Sequence, residues 1–237
     1  MDLSECIRNR RSIRKYTQQP VEFDKITKII EAGHEAPSAG NLQNWRFILI
    51  TDKNVIRSLY NHCLKQEQVY NAQAIIVVCG VVDIAERFYG LRGKRLYTTQ
   101  NCACAIQNML LTAYDVGLGA CWIGAFDEDK IRSTFNIPEN TRPQALITLG
   151  YPDEIPKPPH KDELAGVVYF HKYGARIKEL HIVLRDYSVE WEKQIAQAQE
   201  SIDKGMPKIV EKTKSLIDYL SKKFKEYNKE KKKKIKR

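Results

Sequence analysis

Apolar positions along this chain fall alternately at helical spacing and in short continuous runs. Asp2 followed by Glu5 has the spacing of a capping box. Leu3, Cys6 and Ile7 then make one apolar face, so a helix opens the chain. A second helix is predicted from about Asp24, with Ile26, Ile29, Ile30 and Ala36 inward. It stops by Ala36, because the residue before Pro37 is steered away from helical backbone. "PSAGN" (37–41) reads as a loop and "RFILIT" (46–51) as a strand. Val55, Ile56, Leu59, Tyr60 and Cys63 fit the inner face of another helix. "AIIVVCGVV" (74–82) is continuous and rich in β-branched residues, which predicts a buried strand. Residues 83–97 are charged and aromatic, contain Gly90 and Gly93, and read as a mobile excursion. "TTQNCACAIQNMLLTAYDVG" (98–117) has apolar and small residues around most of its circumference. That predicts a deeply buried helix, suited to a subunit interface, with Gly117 as its C-cap. "GACWIGAF" (119–126) is strand then turn, Asp127 caps a short helix ending near Phe135, and "QALITLGYP" is a strand closed by Pro152. With no regular βαβ repeat, the class is α+β, helices around one sheet.

Beyond about residue 190 the pattern changes to heptads. Ile195, Ile202, Ile209 and Leu216 recur every seven residues, with Met206, Thr213, Leu220 and Tyr227 in step. Gly205 and Pro207 interrupt the repeat, so it reads as two amphipathic helices packed on the domain or on a partner rather than as one rod. The terminal "KEKKKKIKR" reads as frayed and solvated.

Composition narrows the class. The chain has 237 residues, 43% hydrophobic, and a net charge of +10. No window reaches the roughly 18–20 apolar residues of a membrane span, and the start lacks a signal-peptide core. A soluble, cytoplasmic protein with no membrane role is the expectation. From Glu190 onward there are 15 Lys and Arg against 8 Asp and Glu, a net +7, which leaves only +3 for residues 1–189. The terminal lysines lack interleaved aromatic residues, so nucleic acid is a disfavoured partner. Six cysteines without a CxxC, and five histidines at no ligand spacing from them, point to buried reduced thiols and to no metal site.

The N-terminal cluster "RNRRSIRKY" (8–16) needs its own explanation, since five of the eight residues from Arg8 to Lys15 are Arg or Lys. It suits a solvated helix face, a nucleic-acid arm or a pocket for one small anion. Guanidinium groups bind phosphate bidentately, and Ser12 adds a hydroxyl. Arg10 and Arg14, and Arg11 and Arg14, would share a face if the helix or a turn extended over them. In "APSAGNLQNWRF" (36–47), small residues let a flat ring approach the backbone, and Asn41 and Gln43 offer amide edges to a heterocycle. In "GLGACWIGAF", Gly119 and Gly124 bracket an apolar strand end where free backbone N–H groups can face a ligand. No GxGxxG, P-loop or nucleophile elbow is present.

Taken in order, "RRSIRKY…P", "APSAGNLQNWRF", "AIQNMLLTAYDVGLGACWIGAF" and "LGYPDEIPKPPHK" resemble the FMN-dependent nitroreductase family over about residues 4–170. The resemblance implies an α+β sandwich with a mixed, mainly antiparallel sheet. It implies an intertwined homodimer with FMN at the interface and an FMN-binding domain over 1–180; the helical Lys-rich extension over 181–237 is read from the heptads and lies outside the resemblance. Arg10, Arg11 and Ser12 would hold the phosphate and ribityl end, and Arg14 would lie by the pyrimidine side. Pro37, Ser38, Ala39 and Asn41 would line the ring from the other subunit. Gln68 matches a position that contacts the flavin. Ile123 and Gly124 match the place where a backbone N–H meets flavin N5, so no side chain is expected to be catalytic. Lys161, or His160 beside it, falls near a late basic residue on the phosphate.

The implied activity takes hydride from NADH or NADPH and passes two electrons to a small-molecule acceptor, a nitroaromatic or quinone, by a ping-pong mechanism. Dehalogenases, enone reductases, flavin-consuming enzymes and non-catalytic flavin binders remain open alternatives. The 83–97 excursion would cover the substrate side, with Phe88, Tyr89 and Tyr97 stacking on acceptors and Arg87, Arg92, Lys94 and Arg95 meeting phosphates. Two departures from the family pattern stand out. Asn44 replaces the usual Pro of "NxQPW", which is expected to loosen the loop slightly, and Lys161 replaces an Arg.

Overall fold

The computed structural model describes residues 2–175. In chain order the elements are α1 (Leu3–Asn9), α2 (Phe23–His34), β1 (Trp45–Ile50), α3 (Lys53–His62), α4 (Glu67–Tyr70), β2 (Ala74–Val81), α5 (Val82–Arg92), α6 (Thr98–Asp115), β3 (Gly119–Ile123), α7 (Glu128–Thr134), β4 (Thr141–Gly150) and α8 (Leu164–Val167). The chain divides into two compact units, residues 1–159 and 160–237. Everything from α1 to β4 belongs to the first and α8 to the second. The expected boundary at 180 and the heptads of the tail lie outside the described residues.

The four strands order as β1-β2-β4-β3, every ladder antiparallel. Among the described residues the one parallel element is a bridge from Ser12 to Ala120. The apolar run of β2 is continuous because both sheet faces are covered. Ala74, Ile76 and Val78 face a core shared with α2 and α6, whereas Ile75, Val77 and Cys79 face a second core shared with α3, α4 and α7. Ile75, Ile76, Val77 and Val78 are completely buried, together worth at most about 6–12 kcal/mol before conformational entropy is subtracted. β4 begins at Thr141 and so contains Pro143, opposite Cys79 where the β2–β4 register shifts. A proline without an N–H is tolerated at such a bulge.

α6 is the long helix of the first core. Its small residues Cys102, Ala105 and Ala113 are buried, and it ends in a hydrogen-bonded cap. Gly117 N–H donates to the Tyr114 carbonyl (3.0 Å) and Leu118 N–H to that of Ala113 (2.8 Å). Asp127 caps α7 as expected, its carboxylate accepting from Lys130 N–H at 3.1 Å.

Three expectations change. The Asp2 side chain makes no capping bond, and of the apolar face of α1 only Cys6 is buried, with Leu3 and Ile7 exposed. Residues 83–97 are not an excursion. They form α5, kinked at Gly90 (φ 57°), and a π-turn, Gly93–Tyr97, that runs into α6. Buried Ala85 anchors the segment, and periodicity was masked by its exposed aromatics. Cys104 is exposed, while the other five thiols are buried.

Candidate functional site

α1 stops at Asn9, and the arginine cluster continues in extended backbone. Arg10 has φ −53° and ψ 130°. The expected helical face shared by Arg10, Arg11 and Arg14 therefore does not form. What holds the segment is the sheet. Ile13 N–H donates to the Ala120 carbonyl (3.0 Å), Thr17 N–H to that of Tyr151 (2.9 Å), and Asp153 N–H to that of Lys15 (3.0 Å). Residues 12–17 are thus bound on one side to β3 and on the other to the chain leaving β4. Gly119 makes the approach possible, because a Cβ there would lie 2.8 Å from Ile13 Cβ.

Beneath the segment, the buried Tyr16 hydroxyl donates to the Ile13 carbonyl and lies 2.7 Å from the Thr148 hydroxyl. Burial raises this phenol far above its ordinary range, so it remains a donor.

The basic side chains are not equivalent. Arg11 is partly spent on its own backbone, donating to the carbonyls of Arg8 (2.7 Å) and Arg10 (2.9 Å). Neither the Arg10 guanidinium nor the Ser12 hydroxyl has a hydrogen-bond partner among the described residues. Arg14 is exposed, and among the described residues its side chain reaches only the Ser12 carbonyl at 3.4 Å. Arg14 and Arg10 both sit close enough to offset part of the burial that raises the Cys121 thiol.

Glu154 is the one acid at this corner among the described cavity residues. Its carboxylate accepts from the backbone N–H groups of Arg14 (2.6 Å) and Lys15 (3.3 Å), which fixes the turn of the segment. Arg10, Arg11 and Glu154 open onto a cavity of about 430 Å³ walled by Ile13, Leu110, Tyr114, Leu118 and Ile155.

Further along β3, Ile123 is buried and Gly124 exposed. The loop after them is pinned by Gln66, whose amide donates to the carbonyls of Ala125 and Cys63, both at 2.8 Å. Gln68 donates to Gln66 at 3.1 Å. Gln68 therefore belongs to this corner through Gln66, a residue that the sequence reading passed over. Its position just after α3, opposite the β3 exit, was a signal only in three dimensions.

The other expected half is elsewhere. Pro37 and Asn41 are exposed and Ser38 and Ala39 half-buried, in a turn where Gly40, Asn41 and Gln43 all have positive φ. Gly40 (φ 57°) is also where the Tyr89 hydroxyl packs, leaving no room for a Cβ. Ala39 N–H donates to Asn101 near the start of α6 (2.9 Å), whereas Arg10 and Arg11 share a cavity with Leu110 and Tyr114 near its end. From Asn101 to Tyr114 a helix rises about 20 Å. One chain does not bring Pro37–Asn41 to Arg10–Arg14. His160 and Lys161 are exposed residues at the start of the second unit.

A nitroreductase family model matches residues 7–91 and 64–151, most of the first unit and both corners just described. The chain belongs to the nitroreductase family. It is 37% identical over 160 residues to a Methanothermobacter thermautotrophicus protein provisionally named an NADH dehydrogenase/NAD(P)H nitroreductase, covering 66% of this chain and 80% of that one. It is 27% identical to a Thermus thermophilus NADH dehydrogenase, covering 71% and 95%. Among solved structures it resembles one described as an FMN-dependent nitroreductase from Clostridium difficile. There the TM-score is 0.62, the identity 27%, and the coverage 72% of this chain and 99% of that one.

Against the nitroreductase pattern, the Asn44 departure acts opposite to expectation. Asn44 is completely buried, and its amide joins the loop to β2 through Val81 and to α6 through Thr98 and Asn101. It stiffens the loop. A proline there would also disfavour the left-handed backbone of Gln43 (φ 46°).

Proposed function

We propose that this nitroreductase-family protein is an FMN-dependent oxidoreductase using NADH or NADPH as reductant and a nitroaromatic, quinone or similar small molecule as acceptor. The observation that supports it most directly is the anchored corner of β3. There Arg10, with no competing partner among the described residues, opens onto a cavity of about 430 Å³, and Ser12, bridged to Ala120, and Arg14 lie along a strand that ends at Ile123. Free guanidinium and hydroxyl donors on a fixed backbone suit a phosphate.

Bound FMN would supply the two-electron chemistry, accepting hydride from the reductant and passing electrons to the acceptor in a ping-pong sequence. The residues bind and orient. Arg10, Arg11 and Ser12 hold the phosphate and ribityl end. Arg14 stands at the pyrimidine side, where its charge favours added electron density. Gln66 and Gln68 hold the loop that offers the Ile123–Gly124 backbone to the reacting edge. Pro37, Ser38, Ala39 and Asn41 come from a second copy of the chain, because about 20 Å of α6 separates them from the arginines of their own. Tyr89, whose hydroxyl packs on Gly40 of that loop, and exposed Phe88 beside it in the chain cover the substrate side. Lys94 is committed to Glu86 (2.9 Å), which leaves Arg87 and Arg95 for a dinucleotide's phosphates.

The purified protein should be yellow and bleach with NADH or NADPH in the absence of air. Arg14→Ala should lower the flavin potential by roughly 30 mV, a two-electron equivalent of about 1.4 kcal/mol. A chain that stays colourless after incubation with FMN defeats the reading.

A further inference from the structure

Asn44 sits at the centre of a buried polar chain that links two segments distant in sequence. Ala39 N–H donates to Asn101 Oδ1 (2.9 Å), and Asn101 Nδ2 donates to Asn44 Oδ1 (2.8 Å). Asn44 Nδ2 donates to the Val81 carbonyl (3.0 Å) and to Thr98 Oγ1 (3.1 Å), and Thr98 Oγ1 donates to the Gly93 carbonyl (3.0 Å). Asn44 and Thr98 are completely buried and Asn101 nearly so.

The direction of the chain is forced from its ends. A backbone N–H at Ala39 requires the oxygen of Asn101, which turns its NH2 toward Asn44. Backbone carbonyls at Val81 and Gly93 require donors from the Asn44 amide and the Thr98 hydroxyl. No amide can flip without leaving two buried groups unpaired.

Tyr89 of α5 bridges the same two segments again nearer the surface. The Tyr89 hydroxyl packs on Gly40, and Tyr89 meets the Tyr97 ring edge-on with centroids 5.1 Å apart. Arg92 Nε donates to the Tyr97 hydroxyl at 3.0 Å.

We infer that Asn44 is a positioning residue that couples the 37–43 loop to the Gly93–Tyr97 turn, so that the two open and close together. Breaking the chain at one end leaves buried donors or acceptors at the other, which is why the segments act as one unit. The proposed function supplies only what the segments do, ring-lining and substrate cover. The coupling itself does not depend on it.

The test is residue-resolved amide exchange on the full chain without FMN. Asn44→Val should speed exchange at Ala39 and across residues 93–98 together, by tenfold or more, with Ile76–Val78 in the central strand unchanged. Thr98→Val, close to isosteric, should speed the 93–97 turn and, through the Asn44 amide that loses its acceptor, Ala39 as well, each by threefold or more. Faster exchange at only one segment in Asn44→Val, or at both only in step with the central strand, overturns the inference. If Asn44→Val does not fold, Thr98→Val decides it, and a faster 93–97 turn with Ala39 unchanged overturns it. In the FMN-loaded enzyme, Thr98→Val should raise KM for the pyridine nucleotide threefold or more with kcat within twofold. A fall in kcat at constant KM overturns the positioning role. A chain that binds no FMN defeats the proposed function and leaves the exchange result to stand by itself.

Discussion

Replacing Tyr16 by Phe deletes one oxygen from a buried position that supports the arginine segment. The hydroxyl serves the Ile13 carbonyl and the Thr148 hydroxyl, each at 2.7 Å. Thr148 keeps a second bond to the Cys121 carbonyl at 3.4 Å, so the Ile13 carbonyl bears most of the loss. A lost buried hydrogen bond costs about 1 kcal/mol net, and a carbonyl left without a donor adds about 1 kcal/mol or more, so about 2 kcal/mol is expected. In a domain of this size that is a fall in Tm of about 4–8 °C.

Thr148→Val should cost less, because Tyr16 can still donate to Ile13. Urea unfolding of both variants and the double variant should give a coupling energy of about 1 kcal/mol. The two also separate structure from site. Both lower stability, but only Tyr16→Phe frees the segment bearing Arg10 and Arg14, so only it should weaken FMN binding, by about tenfold. Additive effects in the cycle, or equal losses of FMN affinity, would refute the assignment of Tyr16 as the support of this segment.

Three further outcomes are expected. Glu154→Gln keeps an acceptor for the Arg14 and Lys15 N–H groups but removes a negative charge beside Arg10 and Arg11, so FMN titration should show binding about two- to fivefold tighter; weaker binding would mean that the carboxylate itself is needed. Gly119→Ala drives a methyl into Ile13 and should cost roughly 1–3 kcal/mol in urea unfolding, recovered in part by Ile13→Ala in the same chain; a neutral single variant would show that the segment moves freely off β3. Burial raises the thiol of Cys63 to about 11 and those of Cys79 and Cys102 to about 12, from an ordinary 9.0. Their stabilising contribution is intact below pH 9 and lost as pH rises towards those values, because the unfolded chain releases the protons first. By pH 10 that amounts to about 1.4 kcal/mol per thiol and a Tm lower by on the order of 10 °C than at pH 8, and an equal Tm at both would contradict it.

Much of the frame was legible in the residues. β2 was readable because alternate residues of Ala74–Val81 feed two separate cores, and a strand buried on both sides must be apolar throughout. α6 was readable because its circumference is apolar or small, and its cap because Gly117 follows the last helical residues. The 83–97 segment was misread, since its exposed aromatics and Gly90 hide the helix that Ala85 anchors. Gln66 was passed over and Asn44 read in the wrong sense. A buried amide gives no periodic signal, and its effect depends on which backbone groups lie opposite.

The sequence by itself determined most of the elements and the buried central strand, because side-chain polarity and local spacing report burial and backbone preference directly, and its four motifs in order pointed to the family. Only the tertiary structure decided that Arg10–Arg14 is an extended strip on the β3 edge rather than a helical face, since that rests on pairing with Ala120, more than a hundred residues away. It likewise decided that the strip and the 37–41 loop lie near opposite ends of α6, and that Asn44 ties this loop to the 93–97 turn. Each is a long-range hydrogen-bonding outcome, fixed by which unpaired backbone groups the packed cores bring face to face.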